Sequence, residues 1–93
     1  MKNKKLNIIR HKIDKIDHMV LNLIVKRTKL VNNVIKIKKL KKQIVDKNRI
    51  NNILKNIKKH SIKKNIDPKI TKRIWSSIIK SYIEYEKKNF NKK

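Results

Sequence analysis

The chain has 93 residues, so we expect residues 1–93 to form one small domain in which a self-contained hydrophobic core would be marginal. Cysteine is absent, which excludes a disulfide framework and a thiolate metal site. The formal net charge of +23 suggests a nucleic-acid partner, but Lys, Ile and Asn, which have A/T-rich codons, supply 55 of the residues. Base composition is therefore a competing explanation of the charge, and a basic helical dimer that binds nucleic acid is kept as an alternative.

The first predicted helix extends from about residue 4 to residue 40. Its apolar positions recur at alternating steps of three and four, the heptad period of helices that pack at a shallow angle. No Gly or Pro interrupts the pattern, but one position of the seam is an arginine. The seam consists of Leu6, Ile9, Ile13, Ile16, Val20, Leu23, Arg27, Leu30, Val34 and Ile37.

Two further helices are predicted, over residues 47–61 and 68–88, and no strand is expected. Asp46 can cap the second helix. The segment IDPK is a start signal for the third, with Asp67 as N-cap and Pro68 at the first helical position. No apolar run is long enough to span a membrane, and a cytoplasmic protein is the expectation.

The length of the first helix predicts a homodimer. A helix of about 37 residues is about 55 Å long, whereas a compact domain of this size has a diameter of roughly 30 Å. The rest of the chain cannot cover such a seam. A second copy can, in an intertwined dimer.

Arginine is the informative basic residue, because the chain otherwise uses lysine. Its planar fork grips a carboxylate through two parallel hydrogen bonds. Arg27 and Lys38 are eleven residues apart, so on a helix they project from one face about 16 Å apart and could hold a small anion between them. The alternatives are a cation that snorkels out of the seam for Arg27 and a solvated charge for Lys38. The chain has four arginines: Arg10, Arg27, Arg49 and Arg73, of which the last is interpreted as a surface charge.

Arg10 precedes Arg27 by 17 residues, about 25 Å along the helix, and cannot reach the same small ligand from the same chain. An antiparallel partner helix could deliver it to the other protomer's site. His11, Asp14 and His18 share one broad helical side but have no fourth ligand, so no metal site is expected.

Residues 5 to 90 resemble the all-helical class of chorismate mutases and the related isochorismate-pyruvate lyases. The likeness lies in IIRHKIDKIDHMVLNLIVKRTKLVNNVIKIKK, VDKNRI and IDPKITKRIWSSIIKSYIEYE. Its most specific part is the pattern R-x(2)-ID-x-ID-x(9)-R-x(10)-K, which Arg10, Arg27 and Lys38 satisfy at the family's intervals. Arg49 matches the family's third arginine, and Asp46 matches the acidic position before it.

The resemblance implies an intertwined dimer of three-helix chains with two identical sites. In such enzymes the arginines that match Arg27 and Arg49, together with Arg10 of the partner subunit, hold the two carboxylates of chorismate. The lysine that matches Lys38 and a side chain of the last helix, here Glu86, reach the ether oxygen. The rearrangement to prephenate, a step of aromatic amino-acid biosynthesis, needs no metal or organic cofactor.

Glu86 must be protonated if it donates a hydrogen bond to the ether oxygen, so activity would fall as the pH rises. A flat profile from pH 5 to 9 would contradict that role. The alternative interpretation is that Glu86 pairs with a neighbouring lysine on an exposed face.

Two positions depart from the family pattern. Mutases usually carry Glu directly after the third arginine, where this chain has Ile50, and the lyase relatives tend to be apolar there. The small hydroxyl residue one turn before the Gln/Glu position is replaced by Tyr82. Isochorismate-pyruvate lyase therefore remains the alternative enzyme, and mutase is preferred because a stand-alone chain of this kind more often serves aromatic amino-acid synthesis.

Overall fold

The computed structural model of the chain describes residues 3–90, and this part is all-α, with three helices and no strand. The predicted fold class is therefore confirmed. The helices are α1, Lys4–Ile37; α2, Lys47–Lys63; and α3, Pro68–Asn89, with a single 3-10 turn at Lys41–Gln43 between the first two. Within residues 3–90, each helix is too short or too polar to cross a lipid bilayer.

The chain divides into two compact units, Met1–Asn33 and Val34–Lys93. The first unit holds most of α1, and none of its described residues is buried. The apolar seam residues of this unit are between 39% and 65% exposed. Those residues are Leu6, Ile9, Ile13, Ile16, Val20, Leu23 and Leu30.

The first helix ends at Ile37, three residues before the predicted end at residue 40. The amide of Lys38 still donates to the carbonyl of Val34, at 3.0 Å. The next two amides, of Lys39 and Leu40, instead donate to the side-chain oxygen of Gln43, both at 2.8 Å. A side-chain acceptor thus replaces the helical carbonyls, and the chain turns away.

The second unit is built on α2 and α3, which pack against each other. Its most buried apolar residues are Ile35 at the end of α1, Ile44 in the link to α2, and Ile79 on α3. A buried hydroxyl pair also joins the helices, since Ser61 Oγ and Thr71 Oγ1 are 2.7 Å apart. Ser61 Oγ donates to the carbonyl of Ile57 at 2.6 Å, which satisfies the only proton of that hydroxyl.

Side-chain caps set the starts of α2 and α3 as predicted. The carboxylate of Asp46 accepts a hydrogen bond from the amide of Arg49, at 3.0 Å. The carboxylate of Asp67 accepts one from the amide of Lys69, at 2.9 Å, and Pro68 occupies the first helical position. α2 extends two residues and α3 one residue beyond the predicted ends.

Candidate active site

The second unit brings together the two residues that were expected to reach the ether oxygen. Lys38 Nζ donates to Glu86 Oε1 across 3.1 Å, although the residues are 48 positions apart in the sequence. Lys38 directly follows α1, and Glu86 lies in the last turn of α3. The pairing therefore fixes the end of the first helix against the end of the third.

The surroundings of the pair are largely shielded from water. The side chains of Lys38 and Glu86 are 20% and 11% exposed, and Glu86 is one of the buried residues of α3. Glu86 therefore does not pair with a neighbouring lysine on an exposed face, and that alternative interpretation is wrong. Charges removed from water attract each other more strongly but lose hydration, so a buried carboxylate needs a partner such as this ammonium.

Asp46 and Arg49 lie close to the same helix start. The Asp46 carboxylate caps α2 through the backbone amide of Arg49, which places the arginine in the first turn with its side chain exposed. An open cavity of about 380 Å³ lies beside this turn. It is lined by Lys38, Gln43, Val45, Asp46, Lys47 and Asn48, so two predicted site residues share one concave surface.

The remaining predicted site residues, Arg10 and Arg27, lie on α1 in the first unit. Arg10 is exposed, while Arg27 is half-buried and its Nη1 atom is shielded from solvent. A guanidinium nitrogen out of contact with water is unusual for a seam position that only carries a surface charge. The joint role of Arg10 and Arg27 in a carboxylate site stays a prediction.

The sequence model of the chorismate mutase type II family matches residues 9–87. The chain belongs to the chorismate mutase type II family. No significant match to a curated protein or to a solved structure is found. The matched range includes all six predicted site residues, from Arg10 to Glu86. The resemblance noted in the sequence is thus confirmed at the level of the family.

One residue of this site in the chorismate mutase type II chain was missed by the sequence analysis. Gln43 lines the cavity together with Lys38. Its side-chain oxygen accepts hydrogen bonds from the amides of Lys39 and Leu40, the two residues that follow Lys38. The available signal was a glutamine three residues after Leu40, at the start of a break in the helical pattern, where Gln commonly reaches back to a free amide. That signal is weak in the sequence alone, because the glutamine side chain meets the two amides only through the turn at Lys41–Gln43.

Proposed function

We propose that the chain is a chorismate mutase that converts chorismate to prephenate by a pericyclic rearrangement. The observation that carries this proposal is the shielded Lys38–Glu86 pair in a chain of the chorismate mutase type II family. Such a rearrangement needs no nucleophile. It needs a substrate held in the reactive conformer and charge opposite the oxygen on which negative charge develops.

In this proposal Lys38 supplies that charge. The ammonium of Lys38 donates to Glu86 in the structure, which orients the side chain within the site. We propose that on substrate binding the same ammonium also donates to the ether oxygen, because an ammonium has three donors. A fixed donor in a partly desolvated site stabilises the transition state by about 3–4 kcal/mol in well-studied cases.

The carboxylates of the substrate are assigned to arginines. Arg27, Arg49 and Arg10 of the partner subunit are proposed to grip them by paired hydrogen bonds, which fix both the position and the rotation of each carboxylate. The partly shielded guanidinium of Arg27 supports this assignment. Asp46 contributes indirectly, because its cap determines where α2 begins and therefore where Arg49 lies.

The active enzyme is proposed to be an intertwined homodimer. α1 contains 34 residues, a length of about 51 Å, and the seam in its first unit is exposed to solvent. Burying one large aliphatic side chain contributes about 1.5–3 kcal/mol, so a partner that covers several of them is strongly favoured. Phe and Tyr biosynthesis in the cytoplasm is the proposed context.

Isochorismate-pyruvate lyase is the second candidate, favoured by one residue. Ile50 follows Arg49 in α2 and is half-buried. Because its side chain is apolar, no carboxylate is available at this position to accept a hydrogen bond from the ring hydroxyl of chorismate. Loss of that contact weakens discrimination between the two isomeric substrates, which differ in where the hydroxyl lies.

The test is to incubate the purified protein separately with chorismate and isochorismate. The proposal expects prephenate from chorismate, whereas salicylate and pyruvate from isochorismate would assign the lyase. Arg27→Ala should abolish turnover and leave the dimer intact. Arg73→Ala, which removes the arginine interpreted as a surface charge, is the matched control and should retain full activity. Absence of turnover with both substrates would reject an enzymatic role.

A further inference from the structure

We propose that Gln43 is a positioning residue whose side-chain oxygen holds Lys38 against Glu86, an inference that rests on the proposed function. The two hydrogen bonds from the amides of Lys39 and Leu40 to Gln43 Oε1 are called here the Gln43 bridge. Both measure 2.8 Å. The bridge begins at the residue directly after Lys38, so it constrains the backbone from which the ammonium projects.

The bridge lies in a compact turn that contains the 3-10 segment Lys41–Gln43. The backbone amide of Gln43 donates to the carbonyl of Leu40 at 3.0 Å. The side-chain oxygen of Gln43 in turn accepts a hydrogen bond from the amide of Leu40. Ile44 follows, with its amide on the carbonyl of Lys41 at 3.1 Å and its side chain only 4% exposed. The turn is thus tied at one end to the two amides that follow the α1 hydrogen-bond ladder and at the other to the core.

The helical hydrogen bonds of α1 hold the backbone as far as Lys38, and the Gln43 bridge holds the two residues that follow it. The amide of Lys38 is the last to donate to a helical carbonyl, that of Val34. Without an acceptor at Gln43, the amides of Lys39 and Leu40 would turn toward water, and the backbone torsions beside Lys38 would be free to change. A lysine side chain has four rotatable bonds, so a fixed backbone is needed to keep its ammonium within 3.1 Å of Glu86.

Because Gln43 is exposed, a substitution there can test its effect on the position of Lys38 separately from its effect on stability. Its side chain is in contact with solvent, so water can satisfy the two amides when the oxygen is removed. We therefore expect little loss of thermal stability from a substitution at Gln43. We expect a decrease of about ten- to a hundred-fold in kcat, because a displacement of about 1 Å of a catalytic group has an effect of that size. KM should change less, since substrate carboxylates are bound by arginines.

The experiment compares three variants of the full chain. Gln43→Met keeps the length of the side chain and removes the acceptor, Gln43→Glu keeps an acceptor oxygen, and Thr71→Val breaks the buried hydroxyl pair. For each, kcat and KM are measured with chorismate. NMR reports hydrogen exchange at the amides of Lys39 and Leu40 and the signal of the Lys38 ammonium, which do not depend on catalysis.

Three results are expected. Gln43→Met lowers kcat, speeds exchange at both amides and weakens the ammonium signal, while Gln43→Glu restores all three. Thr71→Val lowers the unfolding temperature and leaves kcat unchanged, the reverse pattern.

Two results would overturn the proposal: a wild-type kcat and ammonium signal in Gln43→Met, or an equal loss in Gln43→Glu. If the wild-type protein fails to convert chorismate, the proposed function is rejected. The NMR measurements then still decide whether Gln43 holds Lys38.

Discussion

The carboxylate of Glu86 has two possible chemical roles, and they differ in protonation. In the structure Glu86 accepts a hydrogen bond from Lys38, the geometry of an ionised carboxylate that orients an ammonium. To donate to the ether oxygen, as the resemblance implies, it must carry a proton when substrate is bound. Binding of substrate removes water and brings an electron-rich oxygen to Lys38, so the second role requires the resting pair to rearrange.

The substitution Glu86→Gln tests which role operates. If protonated Glu86 donates to the ether oxygen, wild-type kcat falls as the pH rises from 5 to 9, and Glu86→Gln removes that slope because an amide donates at every pH. Steady-state kinetics at several pH values measure the effect. Glu84→Gln is the control, because Glu84 lies on the same helix and is exposed.

A wild-type profile that stays flat while Glu86→Gln loses activity would contradict the donor role. It would assign Glu86 to orientation of Lys38. A profile unchanged in both slope and height by the substitution would remove Glu86 from the site altogether.

Individual site residues could be proposed from the sequence where the residue type itself carries information. The chain has only four arginines, so each could be examined, and a carboxylate near the end of α3 could be matched to Lys38 through the family's intervals. Gln43 could not be predicted in this way. Its role depends on a turn that brings its side chain to amides three and four residues earlier, and no periodic pattern in the sequence indicates such a turn.

Helix ends in this chain are set without glycine, which the sequence lacks. At the end of α2, Asn65 adopts a positive φ of 58°. The amide of Asn65 donates to the carbonyl of Ile62 at 3.2 Å, and the amide of Ile66 donates to that of Ser61 at 3.0 Å. This is the Schellman arrangement, in which the residue after the cap must be left-handed, and Asn is the residue after glycine that tolerates it best.

The effect of replacing Asn65 on stability should therefore depend more on how well the new residue adopts a positive φ than on the loss of the amide side chain. Asn65→Ala is expected to lower the free energy of unfolding by about 1 kcal/mol, because a Cβ without a compensating polar group is disfavoured at positive φ. Asn65→Gly should be as stable as the wild type or slightly more stable. Urea denaturation followed by circular dichroism measures the difference. Equal loss in both variants would show that the amide side chain, not the conformation, stabilises the turn.

The ends of α2 and α3 were easier to predict than the end of α1. Asp46, Asp67 and Pro68 are local signals whose effect needs only the next few residues. The apolar pattern of α1, in contrast, continues past Ile37 to Leu40, so periodicity alone extends the helix. At the actual end, Gln43 accepts hydrogen bonds from the next two amides and Ile44 is buried, and the apolar period of α1 carries no sign of either contact.

At the scale of the whole molecule, the apolar seam of α1 is exposed to solvent in the single chain. Leu23 is 61% exposed at the seam. If a second copy covers it, Leu23→Lys should convert the dimer to a monomer, since an unpaired ammonium in an apolar interface is strongly disfavoured. Analytical ultracentrifugation measures the mass. Asn22→Lys adds the same charge at an exposed polar position next to Leu23 and should leave the dimer intact. Monomeric wild-type protein would reject the dimer and the shared site together.

Sharing of residues between subunits makes a stricter prediction than dimerisation. If each site combines Arg27 of one chain with Arg10 of the partner subunit, Arg10→Ala and Arg27→Ala homodimers are both inactive. In a heterodimer of the two, one site loses both arginines and the other keeps both. Equal mixing by unfolding and refolding gives heterodimers in about half of the population, so about one quarter of wild-type activity should return.

Return of activity in the mixture requires that the two arginines of a site come from different chains. If both arginines came from the same chain, every site in the mixture would lack one of them, and activity would stay at the level of the single variants. A mixture of Arg27→Ala with itself, refolded in the same way, measures that level. Recovery to about one quarter would thus locate the two guanidinium groups on different subunits, because no arrangement within one chain regenerates an intact site.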